Sequence, residues 1–138
     1  KLISEGFKVV ICGGQSDREI CAELHSAIAH SIDFSNDNNL FKTAEDMKQC
    51  KVVVCNDSGL MHTDAAVKVP VISIFGSTVK EFGFAPYGIR NLVLENNSLS
   101  CRPCSHIGKD TCPKKHFNCM KEITPDHVYN ELQKFIKV

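Results

Sequence analysis

The chain has 138 residues, a length for one domain that buries roughly two thirds of its unfolded surface. Sixteen basic and sixteen acidic residues give a formal charge of zero, which gives no overall electrostatic attraction to nucleic acid or an anionic membrane. No apolar run approaches the roughly 20 residues of a membrane-spanning helix, and no secretory-signal pattern opens the chain.

The opening KLISEG places Leu2 and Ile3 in a last helical turn, with Gly6 just past the helix end. A helix so short is marginal by itself, so the chain is expected to be a fragment that starts inside a helix. Residues 7–12, FKVVIC, read as a buried strand, followed by a tight turn at Gly13-Gly14. Ser16-Asp17-Arg18-Glu19 is a capping-box pattern, with Ser16 as the cap and Glu19 reaching back. The helix it opens is expected to bury Ile20, Leu24, Ala27 and Ile28. Residues 31–35 form a short strand in this reading. The polar turn at 36–39 then caps a helix that turns Leu40, Ala44 and Met47 inward.

Two apolar strands follow, 51–55 and 70–75, separated by a short helix over 60–68. Runs this apolar suit parallel strands covered on both faces. Each ends in a polar cluster, Asn56-Asp57-Ser58-Gly59 and Gly76-Ser77-Thr78. Residues 91–95, NLVLE, give a further strand. Thr124 caps a last helix, with Pro125 in its first turn and Val128, Leu132, Phe135 and Ile136 on its buried face. Strands alternating with helices define an α/β fold with a parallel sheet flanked by helices and a cysteine-bearing loop over 101–119.

In such sheets ligands sit beyond the carboxyl ends of the strands, where both polar clusters fall. Gly59 lets a ligand approach the backbone, and the free N–H groups of the following helix suit a phosphate. Asp57 and His62 flank that spot as a carboxylate and an imidazole. The plainer alternative has Asp57 or Ser58 capping the helix and His62 as a satisfied histidine. Gly76-Ser77-Thr78 is either a strand-end turn or a second phosphate-facing loop. Gly13-Gly14 lacks the full G-x-G-x-x-G spacing, so a nicotinamide or flavin site has no support. Residues 82–88, FGFAPYG, serve local packing or act as a lid over the ligand. No G-x-S-x-G elbow surrounds Ser58, which argues against a serine hydrolase.

Four of the eight cysteines, Cys12, Cys21, Cys50 and Cys55, fall on strands or helices as small core residues. Cys101, Cys104, Cys112 and Cys119 instead cluster in a loop rich in Pro and Lys. Reduced thiols are expected without a secretory signal, and four thiolates suit a closed structural zinc site, with His106 and His116 as substitutes. Free thiols packing the loop, or disulfides, remain alternatives. The short basic run Lys114-Lys115, with Lys109 and Arg102 nearby, reads as a solvated loop.

NDSGLMH at 56–62, PVISIFGST at 70–78, FGFAPYG and the tail CRPCSHIGKDTCPKKHFNCMKEITPDHV together resemble a known family. They are similar to the carboxyl-terminal half of the ADP-heptose:lipopolysaccharide heptosyltransferases (glycosyltransferase family 9, GT-B), over residues 7–136. The resemblance implies a Rossmann-like donor-binding domain spanning 1–138. An amino-terminal domain that supplies the general base would be absent, so the fragment alone would not catalyse transfer. Asp57, Ser58, Gly59, His62, Ser77 and Thr78 would hold a nucleotide-diphosphate sugar, ADP-heptose in this family. Asp57 would accept bonds from sugar hydroxyls, and His62 would help neutralise the departing diphosphate. Many members carry Gly-Pro-Thr where this chain has Gly76-Ser77-Thr78. The acceptor would be a lipopolysaccharide core or related glycan, on the cytoplasmic face of the inner membrane, where a basic surface suits the anionic leaflet. The enzyme would sit at that membrane peripherally at most, and nucleic acid is not an expected partner. No cofactor is required for catalysis in this pattern, in keeping with the lack of a D-x-D motif. Two rival readings are a non-catalytic nucleotide-binding module and a zinc-stabilised interaction module.

Overall fold

The computed structural model describes residues 1–137 and divides into two compact units, Lys1–Asp46 and Met47–Val138. In the first unit, strands β1 (Val10–Ile11) and β2 (Ile32–Asp33) pair in parallel, joined by helix α1 (Arg18–Ala27). The pairing continues past the strand ends, where Phe34 N–H donates to the Ile11 carbonyl at 2.8 Å and Asn36 N–H to that of Gly13 at 3.2 Å. The strand read over 7–12 is thus reduced to two residues. The expected helix end before Gly6 is present as a single 3₁₀ turn, Ile3–Glu5, closed by Gly6 at φ 86°.

Two expectations for α1 are corrected. The chain enters it through a 3₁₀ turn, Gln15–Asp17, which moves the reach-back carboxylate from Glu19 to Asp17. Asp17 Oδ2 accepts from Gly14 N–H at 3.2 Å, and Ser16 does not cap the helix. The buried face is also rotated: Cys21 is enclosed, whereas Ile20 is 57% and Leu24 43% exposed. Gly13 explains the rotation. A Cβ on it would lie 2.6 Å from Cys21 Sγ, so the bare backbone admits the Cys21 face of α1 at close range.

Asn39 caps α2 (Leu40–Met47) as the polar turn predicts, its Oδ1 accepting from Lys42 N–H at 3.1 Å. Met47 is buried, but Leu40 is exposed, and Thr43 and Asp46 take the inward places. Both polar groups are satisfied locally, which removes the usual penalty for burying them. Thr43 Oγ1 accepts from Asn36 Nδ2 at 2.9 Å, and Asp46 pairs with Lys42 at 2.9 Å.

The second unit holds a parallel sheet in the order β3 (Val53–Asn56), β4 (Val71–Phe75), β5 (Asn91–Glu95). Helix α3 (Gly59–Ala66) makes the crossover from β3 to β4. Central β4 reads VISIF and is almost wholly enclosed, as a strand between two parallel neighbours should be. Met61 from α3 packs with Val71 and Phe75 to form the core, bordered by Val53, Ile89 and Val93. Full burial of a side chain such as Phe75 stabilises by about 1.5–3 kcal/mol. Edge strand β3 departs from the expectation of a doubly covered strand, because Val54 is exposed.

Two helices follow, the short α4 (Asn118–Lys121) and the twelve-residue α5 (Pro125–Ile136). Thr124 caps α5 as predicted, its Oγ1 accepting from His127 N–H at 3.2 Å. Leu132 is buried on the expected face. Arg90 fastens α5 to the start of β5: it donates to the Lys134 carbonyl at 2.9 Å and lies 4.3 Å from the Phe135 ring centre.

Candidate active site: the carboxyl ends of β3 and β4

Register brings the two polar clusters together. Asn56 of β3 stands opposite Ile74 of β4, so the residues after each strand emerge side by side. Asp57 N–H extends the ladder by donating to the Ile74 carbonyl at 3.1 Å. Across the two strand ends, Thr78 Oγ1 donates to Asp57 Oδ2 at 2.5 Å, and Thr78 is only 4% exposed. A charge-assisted bond of this length fixes both loops.

With Asp57 engaged by Thr78, it does not cap α3. Ser58 occupies the cap position in an extended conformation without a side-chain cap bond, so the helix start has no side-chain acceptor of its own. Such an end favours an anion. Ser58, Gly59 and His62 are all solvent-exposed at this start. The partly buried, satisfied histidine of the plainer reading is therefore not what the fold contains.

Asp57, Ser77 and Thr78 line an open pocket of about 210 Å³. Its opposite wall comes from the cysteine-bearing segment, through Cys104, Lys109, Thr111 and Cys112. Ser58, Gly59 and His62 do not line it. The structure thus gathers three of the six candidate ligand residues in the pocket and leaves three on the adjoining helix turn.

Arg102, read from the sequence as part of a solvated basic run, is the buried anchor of this wall. Its side chain is 3% exposed and meets Glu95 Oε2 at 3.0 Å. The same guanidinium donates to the carbonyls of Gly76 at 2.6 Å, Thr78 at 2.8 Å and Asn96 at 2.8 Å. Cys104 N–H adds a bond to the Ser77 carbonyl at 3.0 Å. The loop after β4 is held from below by the strand and from the side by this segment. Gly76 is needed for the fit: a Cβ there would stand 2.7 Å from Met120 Sδ.

The eight cysteines carry thiols rather than disulfides. Cys104, Cys112 and Cys119 line the pocket, while Cys101 Sγ faces His116 Nε2 at 3.8 Å. His106 is elsewhere engaged, stacked on Phe82 with ring centres 4.6 Å apart. Among the described residues no three Cys, His, Asp or Glu side chains close to metal-holding distances. The thiols differ in character. Backbone N–H groups, that of Phe117 foremost, stabilise the Cys112 thiolate and lower its pKa. Burial raises that of Cys119, and it pushes Cys55 up to about 12, helped by the charges of Asp64 and Asp57.

Parallel β-α-β units, with polar clusters at the carboxyl ends of neighbouring strands, define a Rossmann-like α/β domain. The family model for glycosyltransferase family 9 (heptosyltransferase) matches residues 1–116, and the chain belongs to that family. Lipooligosaccharide heptosyltransferase 2 of Campylobacter jejuni subsp. jejuni serotype O:2 is 30% identical over 139 residues, covering 97% of this chain and 42% of that protein. Lipopolysaccharide heptosyltransferase 2 of Escherichia coli K12 is 32% identical over 87 residues, 59% of this chain and 25% of that protein. Among solved structures, the Escherichia coli ADP-heptose lipopolysaccharide heptosyltransferase II superposes with a TM-score of 0.76 at 26% identity, over 97% of this chain and 38% of that one. A family 9 glycosyltransferase from Veillonella parvula gives a TM-score of 0.77 at 21% identity, over 96% of this chain and 37% of that one, which supports the fold. The chain spans about 42% of the length of the Campylobacter relatives. No helix among the described residues is long and apolar enough to cross a membrane.

Proposed function

We propose that these 138 residues are the donor-binding domain of a heptosyltransferase that moves heptose from a nucleotide-diphosphate sugar to a lipopolysaccharide-type acceptor. The observation that carries the reading is the Thr78–Asp57 clamp beside the uncapped start of α3. The helix start supplies donors for phosphate oxygens, and the free lone pairs of Asp57 accept from sugar hydroxyls. His62, exposed on the first turn of α3, supplies a donor to the departing diphosphate. Stabilising that leaving group is the main catalytic demand of glycosyl transfer, because the sugar ring becomes positive as the bond breaks. The pocket of about 210 Å³ is smaller than the roughly 300–1,000 Å³ that encloses a whole small-molecule ligand, in keeping with a site for the phosphate and sugar end. In this reading, transfer to a lipopolysaccharide-type acceptor takes place at the cytoplasmic face of the inner membrane.

Calorimetric titration of the chain with ADP, ADP-heptose and a UDP-sugar tests the reading. ADP and ADP-heptose should bind in preference to the UDP-sugar, and Asp57→Ala should weaken ADP-heptose more than ADP. Absence of binding by all three nucleotides sinks the proposal.

A further inference from the structure

The cysteine-bearing segment is more than an appendage to the sheet, because it forms one wall of the pocket. The geometry points to Lys109 of that segment as the cation that receives the donor's diphosphate. The inference rests on the donor-site reading above and adds to it a ligand residue outside the two strand-end clusters.

Charge within the pocket makes the case. Asp57 brings a carboxylate to the wall that a diphosphate must approach, and two anions repel across a partly enclosed space. A countercharge is therefore required. Arg102 cannot supply it, since its guanidinium is buried and consumed by Glu95 and four carbonyls. Among the described residues lining the pocket, Lys109 is the single cationic side chain. It is solvent-exposed, which leaves its ammonium hydrated and available to a ligand.

The backbone that carries Lys109 is set by local bonds. Ile107 N–H donates to Ser105 Oγ at 3.2 Å, and Ser105 Oγ donates to the Gly108 carbonyl at 2.8 Å. Gly108 turns the chain at φ 90°, a conformation other residues rarely adopt, and Lys109 follows at once. Upstream, the Arg102 bonds and the Cys104 N–H to Ser77 carbonyl bond tie this turn to the loop after β4. A flexible, compact ammonium on such a base suits phosphate oxygens whose position changes as the sugar departs.

ADP is titrated by calorimetry into the parent chain and into Lys109→Ala, Lys109→Arg and Lys114→Ala, at low and moderate salt. Loss of one charge-assisted phosphate contact should weaken ADP about tenfold or more in Lys109→Ala, with less salt dependence than in the parent. Lys109→Arg should stay within about threefold of the parent, because the charge is kept. Lys114, whose side chain does not line the pocket, is the control and should bind ADP as the parent does. Parent-like ADP affinity in a folded Lys109→Ala overturns this assignment and leaves the donor site standing. Failure of the parent chain to bind ADP overturns both.

Discussion

Asp64 in α3 has no exposed surface, and neither of its carboxylate oxygens meets a partner. Desolvation raises its pKa from 3.8 to about 7, so the folded chain holds a proton there that the unfolded chain releases above pH 4. Because the unfolded state then binds fewer protons, stability falls as pH rises from about 4 to about 7 and levels off above. The span amounts to about 4 kcal/mol. Asp64→Asn removes the charge at nearly constant shape. Urea unfolding should find parent and variant nearest in stability at pH 4, with the variant gaining steadily up to pH 7; a constant difference at every pH refutes the account. None of this is legible in the sequence, where Asp64 looks like a routine polar position on a short helix. Asp57 is different. It stands one residue past an apolar run, and the carboxyl end of a strand is where a site residue belongs, so its place could be read, though its bond to Thr78 could not.

Strand identities followed from the apolar runs themselves, as in β4 and β5. Helix faces were less legible. A period of 3.6 residues says that Ile20 and Leu24 share a side, but Gly13 decides that the Cys21 side is the one that packs. The segment after β5 was the least legible, because its fold hangs on Arg102 reaching Glu95, seven residues earlier, and the loop after β4. Arg102→Met tests that anchor. It leaves Glu95, whose side chain is 4% exposed, with Lys80 at 3.8 Å as its one remaining countercharge among the described residues. Breaking a buried pair in this way costs roughly 3–5 kcal/mol. Denaturant unfolding should show that loss, and adding Glu95→Gln should restore a substantial part of it. If the double variant is no more stable than the single, the carbonyl bonds rather than the ion pair hold the segment.

Eight thiols spread through both units give a readout of the molecule under one condition. The thiolate is the nucleophile, so labelling follows thiolate population and access together. Cys112 has a pKa lowered chiefly by the Phe117 backbone N–H and is partly exposed in the pocket wall. Cys55 is pushed up to about 12, and burial raises Cys21 and Cys119. A brief pulse of iodoacetamide at neutral pH, read by peptide mass spectrometry, should therefore mark Cys112 first, with Cys55 among the last. Saturating ADP should slow Cys112, since Cys112 lines the pocket proposed to take the diphosphate. Cys12 does not line the pocket, so its rate should stay the same; equal slowing at both sites would mean that the nucleotide acts by general stabilisation of the folded chain rather than by filling the pocket. Labelling of Cys55 as fast as Cys112 would instead show that the sheet opens under native conditions, because only an exposed, ionised Cys55 could compete.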